Sequence, residues 1–277
     1  MTFQIRRLAL FGLLSAFSLS ALATPADDQK NYQNYFKGKF PNIELQDFGN
    51  GIYALDENLR IQWESMEEFA PYELSIESGE KLFNTAFKNG KTYASCFKNG
   101  GKGISQNYPY FDNKSGEIIT LPVAINDCRK KNGEEPLKYK KGKMADLLSY
   151  MTYTSRGNKI SIKVDGAEAT KAYEKGKQFY YARRGQLNMA CAHCHVDNSG
   201  MRIRGNVLST GLGQTTHFPV YRSKWGSVGT LHRRFAGCNK QVRAKPFKAQ
   251  SEEYRSLEYF MTYMNNGLEI NGPGSRF

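Results

Sequence analysis

The chain has 277 residues, of which 40% are hydrophobic and 13% aromatic, a composition typical of a globular protein. Its formal net charge of +13 at pH 7 favours acidic proteins or small anions as partners. Most of the lysines, such as those between Lys138 and Lys143, fit a solvated basic surface equally well. Charge alone therefore points to no specific site.

The N-terminus has the pattern of a secretory signal. Arg6 and Arg7 precede an apolar run from Leu8 to Leu22, which ends at the small residue Ala23. We expect residues 1–23 to be a cleavable signal peptide that directs the chain to the periplasm. The run is short for a membrane helix and no later segment replaces it, so we expect no membrane span. Export also argues against a nucleic-acid partner.

The five cysteines include a motif for covalent haem attachment. Cys191-Ala-His-Cys194-His195 matches Cys-x-x-Cys-His, in which two thiols bond to the haem vinyl groups and the histidine binds iron. A redox disulfide or half of a zinc site are the alternatives, but no second pair of zinc ligands is visible at suitable spacing. We predict one covalently bound haem c, with His195 as an axial ligand.

An internal repeat predicts the architecture. Segments 120–160 and 230–270 align without gaps and share twelve identities, Cys128 with Cys238 among them. Each copy has an amphipathic helix, a cysteine-bearing loop and a final helix, the layout of a class I cytochrome c domain. We therefore predict a mainly α protein with two such domains in tandem, the first without haem. The predicted ranges are a lead-in at 24–75, a haemless domain at 76–164 and a haem domain at 165–277.

The first copy lacks the haem motif and keeps two cysteines. Cys96 lies in the haem-attachment region and Cys128 on the far side of the pocket. Without haem between them, the two thiols can approach closely enough for a disulfide. Two separate buried thiols are the alternative.

Cys238 is the expected second axial ligand of the haem iron. It lies 44 residues beyond Cys194, where cytochromes c usually supply a methionine. A thiolate ligand lowers the haem potential, which suits a reactive sulfur better than facile electron transfer. The other candidate ligands are Met201, Met261, Met264, His217 and His232.

Three arginines lie close in sequence to Cys238. Arg233 and Arg234 precede it and Arg243 follows it. Cationic neighbours lower a thiol pKa and hold anionic substrates. In the first copy Val123 and Ala124 replace the two preceding arginines, so the fold does not need them, although plain surface charge remains an alternative.

The chain resembles the A subunits of the SoxAX cytochromes of bacterial sulfur oxidation over nearly all of its mature length. The resemblance is carried by the haem motif and by the segments 218–222 with Trp225, 229–238, 243–247, 253–258 and 273–276. It implies an L-cysteine S-thiosulfotransferase of the single-haem type, and the Cys96–Cys128 disulfide fits that class.

The resemblance also implies the substrates and partners. Thiosulfate would be joined oxidatively to the carrier cysteine of SoxYZ, with two electrons passing to a cytochrome acceptor and a SoxX-type cytochrome c subunit as partner. Cys238 would be the axial ligand and the persulfide-bearing nucleophile. Arg234 would bind substrate, helped by Arg243 or Arg233. A plain electron-transfer cytochrome with a Met or His ligand, or a haem-based anion-binding module, are the rival functions.

Overall fold

A computed structural model describes residues 23–203 and 205–277. Residues 1–22, which hold nearly all of the expected signal peptide, lie outside the described residues. Within the described ranges, no helix has both the length and the apolar character that a membrane crossing requires.

Nine α-helices account for most of the regular structure in the described residues. They are α1 (Pro25–Lys39), α2 (Ile52–Leu55), α3 (Glu57–Glu67), α4 (Glu73–Asn84), α5 (Leu121–Lys131), α6 (Lys143–Tyr153), α7 (Ala167–Tyr181), α8 (Leu231–Gln241) and α9 (Glu252–Met264). The chain is mainly helical, as predicted.

Short strands connect the helices and form three small sheets. Their bounds are β1 (Tyr110–Asp112), β2 (Glu117–Ile119), β3 (Arg202–Ile203), β4 (Asn206–Val207), β5 (Val220–Arg222), β6 (Ser227–Gly229) and β7 (Gly274–Arg276). The pairs β1–β2 and β3–β4 are antiparallel hairpins. In the third sheet β5 lies in the centre, antiparallel to β6 and parallel to β7.

Two helix pairs define two lobes. We call α4 to α6 the first lobe and α7 to α9 the second lobe, because α4 packs on α6 and α7 on α9. Gly79 in α4 has no room for a side chain, since a Cβ there would lie 2.0 Å from the carbonyl oxygen of Asp146. A Cβ on Gly176 in α7 would likewise lie 2.0 Å from the carbonyl oxygen of Ser256. Glycine thus allows both helix pairs to approach backbone to backbone.

The lobes meet just past the ends of α6 and α9 and at the start of α5. Lys159 and Glu269 form an antiparallel bridge between the ends of α6 and α9. Beside it, the amide of Ile160 donates to the Leu268 carbonyl at 2.9 Å. The Thr120 hydroxyl, which caps α5, contacts the Gln250 side chain at 2.7 Å, so α5 also reaches the second lobe.

The N-terminal segment belongs to the second lobe. α1 begins with a capping box at Thr24, and its Tyr32 and Phe36 are buried in the core that α7 and α9 form. The Gln33 side-chain amide donates to the Asn266 carbonyl at 3.0 Å. Segment 24–75, expected only as a lead-in, therefore supplies part of that core.

Candidate functional site

The haem motif occupies an irregular turn after α7. His193–Asp197 has π-helical hydrogen bonding, which brings His195 inward while its Nδ1 lies 2.9 Å from the Ser209 carbonyl oxygen. The Gln214 side-chain nitrogen also lies 2.6 Å from Nδ1, so polar neighbours occupy Nδ1 and Nε2 is the ring nitrogen left for a metal. The turn thus presents the nitrogen that a haem iron requires.

Lys39 at the end of α1 anchors this turn from outside. Its ammonium donates to the carbonyl oxygens of Val196 at 2.9 Å and Asp197 at 2.8 Å. The Tyr35 hydroxyl donates to the same Val196 carbonyl at 3.3 Å. Carbonyl groups next to His195 are thereby satisfied by α1, so the N-terminal segment holds the histidine in place.

Cys238 lies on α8 across from the motif. The His195 side chain is within hydrogen-bonding reach of its thiol. Burial by itself would raise the pKa of this thiol, but the charge of Arg234, the hydrogen bond and charge of His195 and the charge of Arg222 outweigh it. The resulting pKa of Cys238 is about 7, below the usual value of 9.0. The lowered pKa favours the thiolate form of Cys238.

The attachment cysteines have the opposite character. Burial raises the pKa of Cys191 to about 12, and burial also raises the pKa of Cys194. Both thiols are unpaired and lie close enough to Cys238 for its charge to act on them. Two neutral thiols, a histidine nitrogen and a thiolate fit the donor set of a haem c site. No group of three or more His, Cys, Asp or Glu side chains in the described residues is arranged as a zinc site would need.

The other candidate axial ligands are committed elsewhere or exposed. Met261 and Met264 are buried in the core of the second lobe, and the Met201 side chain is 58% exposed. The Nδ1 of His232 accepts from the Gln250 amide at 2.9 Å and its Nε2 lies 2.8 Å from a Glu258 carboxylate oxygen. His217 is buried beside Phe218, where burial and the charge of Arg276 hold its pKa well below the usual value.

The arginines divide into two groups. Arg234 acts on both Cys194 and Cys238, as its position four residues before Cys238 on α8 allows. Arg233 instead lies 4.3 Å from the centre of the Trp225 ring and donates to the Ser227 hydroxyl at 3.1 Å. Arg243 is exposed, just past the end of α8, with a φ of 57°. Only Arg234 of the three meets the thiol electrostatically in this geometry.

Arg222 joins the site without having been predicted as a site residue. It ends strand β5, and its charge contributes to the low pKa of Cys238. Its only advance signal is its place in the segment 218–222 that carries the family resemblance.

The disulfide expected between Cys96 and Cys128 is present, with their Cα atoms 5.7 Å apart. The disulfide lies in the first lobe, and its Cys128 occupies the position that aligns with Cys238 of the second lobe. The side-chain amide of Asn132 donates to the Cys128 carbonyl at 2.8 Å and fixes the end of α5 beside the bond.

Comparison with known proteins identifies the domain type. The family model described as "SoxA/TsdA, cytochrome c domain" matches residues 78–160 and 175–270. A cytochrome c domain carries covalently bound haem c, in agreement with the motif. The crystal structure of SoxXA from P. pantotrophus contains a chain with a TM-score of 0.69 and 34% identity, covering 75% of this chain and 79% of that one.

Curated relatives extend the match to full length. L-cysteine S-thiosulfotransferase subunit SoxA of Allochromatium vinosum is 54% identical over 276 residues, 99% of this chain and 98% of the relative. The subunit of the same name from Chlorobaculum tepidum is 55% identical over 249 residues, 90% of this chain and 87% of the relative. With the haem motif, the thiol and its arginines in the matched region, the chain belongs to the SoxA family of L-cysteine S-thiosulfotransferase subunits.

Proposed function

We propose that this chain is the periplasmic subunit that joins thiosulfate oxidatively to the carrier cysteine of a SoxYZ protein. The observation that carries the proposal is that the His195 side chain lies within hydrogen-bonding reach of the Cys238 thiol, while the charge of Arg234 acts on the same thiol. The net reaction is that of a carrier thiol with thiosulfate, giving a carrier S-thiosulfonate, one proton and two electrons. The electrons pass to a c-type cytochrome.

The proposed site contains one haem, in the second lobe. Cys191 and Cys194 would form the thioether bonds, and His195 and Cys238 would be the axial ligands. When bound, the haem supplies an electron acceptor next to the sulfur. The first lobe would be a second cytochrome c-like domain that binds no haem, since its disulfide joins the two positions that face the haem in the second lobe.

The protein's own residues have distinct tasks in this proposal. Arg234 would hold the anionic sulfonate end of thiosulfate, because a guanidinium matches oxyanions with paired hydrogen bonds. Cys238, with its pKa near 7, would be the nucleophile that exchanges sulfur with thiosulfate and then with the carrier thiol. Arg233 and Arg243 remain proposed to help Arg234 bind thiosulfate, from positions farther from the Cys238 thiol.

The proposed partners follow from the relatives. The SoxXA crystal structure supports a SoxX-type cytochrome c subunit as the partner of this chain. The formal net charge of +13 also favours acidic surfaces on a partner protein. Residues 1–23 remain the proposed signal peptide, and 24–75, 76–164 and 165–277 the proposed segments of the mature chain.

Substitution of Cys238 tests the proposal with two readouts. In Cys238→Ala we expect an altered haem absorption spectrum and loss of thiosulfate conjugation to the carrier, because ligand and nucleophile are both removed. In Cys238→Met we expect a six-coordinate spectrum with conjugation still lost. Lys240→Ala, an exposed change on the same helix, is the matched control and should alter neither.

A plain electron carrier gives the opposite pattern. Its spectrum would survive Cys238→Ala, because another residue would bind the iron. Mass spectrometry of the intact protein should show one haem, with sulfur adducts on the Cys238 peptide. Two haems, or conjugation that survives both Cys238 variants, would overturn the proposal.

A further inference from the structure

The two lobes are related by a local two-fold symmetry where they meet. The Gly157 amide, just past α6, donates to the Ile270 carbonyl at 2.9 Å, and the Gly267 amide, just past α9, donates to the Ile160 carbonyl at 3.0 Å. Position 267 aligns with 157 and position 270 with 160, so each side gives the other the same contact. Equivalent positions of the two lobes therefore face each other across this interface.

A small cavity at this interface is lined by corresponding positions of both lobes. Several of these positions have the same residue in each lobe, namely Leu121 and Leu231, Thr152 and Thr262, and Ile160 and Ile270. Two others are apolar in the first lobe and ionisable in the second, where His232 takes the place of Pro122 and Glu258 that of Leu148. The fold thus accommodates apolar residues at both positions, and the ionisable pair occurs only in the lobe with the haem motif.

Both nitrogens of the His232 ring have a close polar neighbour inside the protein. The residue is 1% exposed, and its Nδ1 accepts from the Gln250 amide at 2.9 Å. In the neutral ring the hydrogen is therefore on Nε2, which lies 2.8 Å from a Glu258 carboxylate oxygen. Within the described ranges Glu258 forms no ion pair with a lysine or arginine. Because both groups lose hydration, such a buried pair adds little stability over an apolar one, and stability alone does not account for it.

Polar pairs attach α8 to α9 on either side of Cys238 in the sequence. His232 and Glu258 join the first turn of α8 to α9. Near the other end of α8, the Asn239 side-chain amide donates to the Tyr254 hydroxyl at 3.0 Å, and both side chains are buried. Positions 232 and 239 are two helical turns apart and share one face of α8, whereas Cys238 lies on a different face. The two pairs therefore fix the rotation of α8 about its axis.

The first lobe holds its corresponding cysteine by other means. Cys128 on α5 is fixed by the disulfide, whereas Cys238 is unpaired. We infer that His232 and Glu258 are positioning residues, which hold α8 at the rotation that the Cys238 sulfur needs to face the haem motif. They act through the helix and not on the substrate. This inference rests on the proposed function for the role of Cys238 as iron ligand and nucleophile.

The spectrum and the activity of the haem-loaded protein test the inference. In Glu258→Leu, which installs the residue of position 148, we expect the thiolate-ligated share of the electron paramagnetic resonance spectrum to fall at least about twofold, because the ligand is held less firmly. Conjugation of thiosulfate should fall at least about tenfold, since a displacement of about 1 Å can cost about a hundredfold in rate. Glu258→Gln keeps an acceptor for the His232 ring and should retain both signals within about twofold.

The double variant His232→Pro/Glu258→Leu separates positioning from stability. It reproduces the first-lobe pair, in which Pro122 lies in the first turn of α5, where proline is tolerated. Since the double variant leaves no unpaired ionisable group, we expect it to be more stable in urea than Glu258→Leu but to have the same altered spectrum. A double variant with the spectrum and conjugation rate of the unsubstituted protein would overturn the inference.

Ile270→Ala is the matched control, because it enlarges the same cavity without removing a polar contact of α8. It should lower the free energy of unfolding and leave the spectrum unchanged. If Ile270→Ala altered the spectrum as much as Glu258→Leu does, general loosening of the interface would explain both results and the inference would be wrong. If Glu258→Leu fails to fold, the double variant decides.

Failure of this inference is distinguishable from failure of the proposed function. The proposed function fails if Cys238→Ala keeps its spectrum and its conjugation activity. The inference alone fails if Cys238→Ala behaves as proposed while the double variant keeps both signals at the level of the unsubstituted protein.

Discussion

The two lobes have matching helix pairs but differ in the residues that surround their cysteines. In the first lobe Phe87 and Tyr93 pack with ring centres 4.8 Å apart, and the Cys96–Cys128 disulfide joins the short 3₁₀ helix Tyr93–Cys96 to α5. In the second lobe the cysteines at the corresponding places are unpaired, and cationic side chains surround Cys238. The helix scaffold is therefore compatible with either a closed core or the proposed reactive site. The few residues beside the cysteines decide which of the two forms.

The largest effect that separates the lobes should come from removing the disulfide. Closure of a loop of about 32 residues by a disulfide is worth about 3 to 4 kcal/mol. We expect the Cys96→Ser/Cys128→Ser double variant to lose about that free energy of unfolding, measured with urea, while the haem spectrum stays the same. A loss below about 1 kcal/mol, or a changed haem spectrum, would contradict the separation of the lobes.

The second effect tests what the lobes have in common. We expect Gly79→Ala and Gly176→Ala each to cost about 3 kcal/mol in urea unfolding, because each new Cβ would meet a carbonyl oxygen at 2.0 Å. Gly38→Ala in α1 is the control, since no atom lies within 4 Å of a Cβ there. It should be neutral or stabilising by up to about 1 kcal/mol. A small cost at only one of Gly79 and Gly176 would show that the helix pairs are not equivalent.

The smallest effect concerns the charge at position 234. We expect Arg234→Ala, which installs the residue found at position 124, to raise the pKa of the Cys238 sulfur, because a stabilising cation is lost. The sulfur then protonates at a higher pH. The midpoint of the pH-dependent haem spectrum should move upward by roughly one pH unit, equivalent to about 1.4 kcal/mol.

Lys240→Ala serves as the control for this titration, since Lys240 is exposed on the same helix and contributes no named charge to Cys238. A midpoint that stays in place or moves to lower pH in Arg234→Ala would contradict the role of Arg234.

The sequence predicted those parts of the site that depend on local pattern. Cys191, Cys194 and His195 form a contiguous motif, and Cys238 was singled out because it lies 44 residues beyond Cys194, where cytochromes c usually supply an axial ligand. Arg243 was included because it is near Cys238 in sequence, but the chain turns at the end of α8 and leaves its side chain exposed. Sequence distance was a poor guide there because a helix end changes direction within two residues.

Other features have no local signal. The pairing of Arg222 with Arg276 depends on a parallel strand contact between segments 54 residues apart. The attachment of α1 to the second lobe is longer in range, since Gln29 donates to the carbonyl of Asn266. Hydrophobic periodicity identifies a helix but does not say which distant surface it covers. For this reason the N-terminal segment was expected only as a lead-in.

The position of α1 has a consequence for the order in which the chain can fold. α1 precedes the first lobe in the chain, yet its Gln29, Lys39 and Asp28 side chains bond to residues beyond position 170. The first lobe has its own compact core and can complete it as soon as its residues are present. The second lobe needs both ends of the chain at once, so its closure is a late, non-local event. Removal of α1 or of the segment that contains α9 would therefore damage the same lobe, the one that holds Cys238.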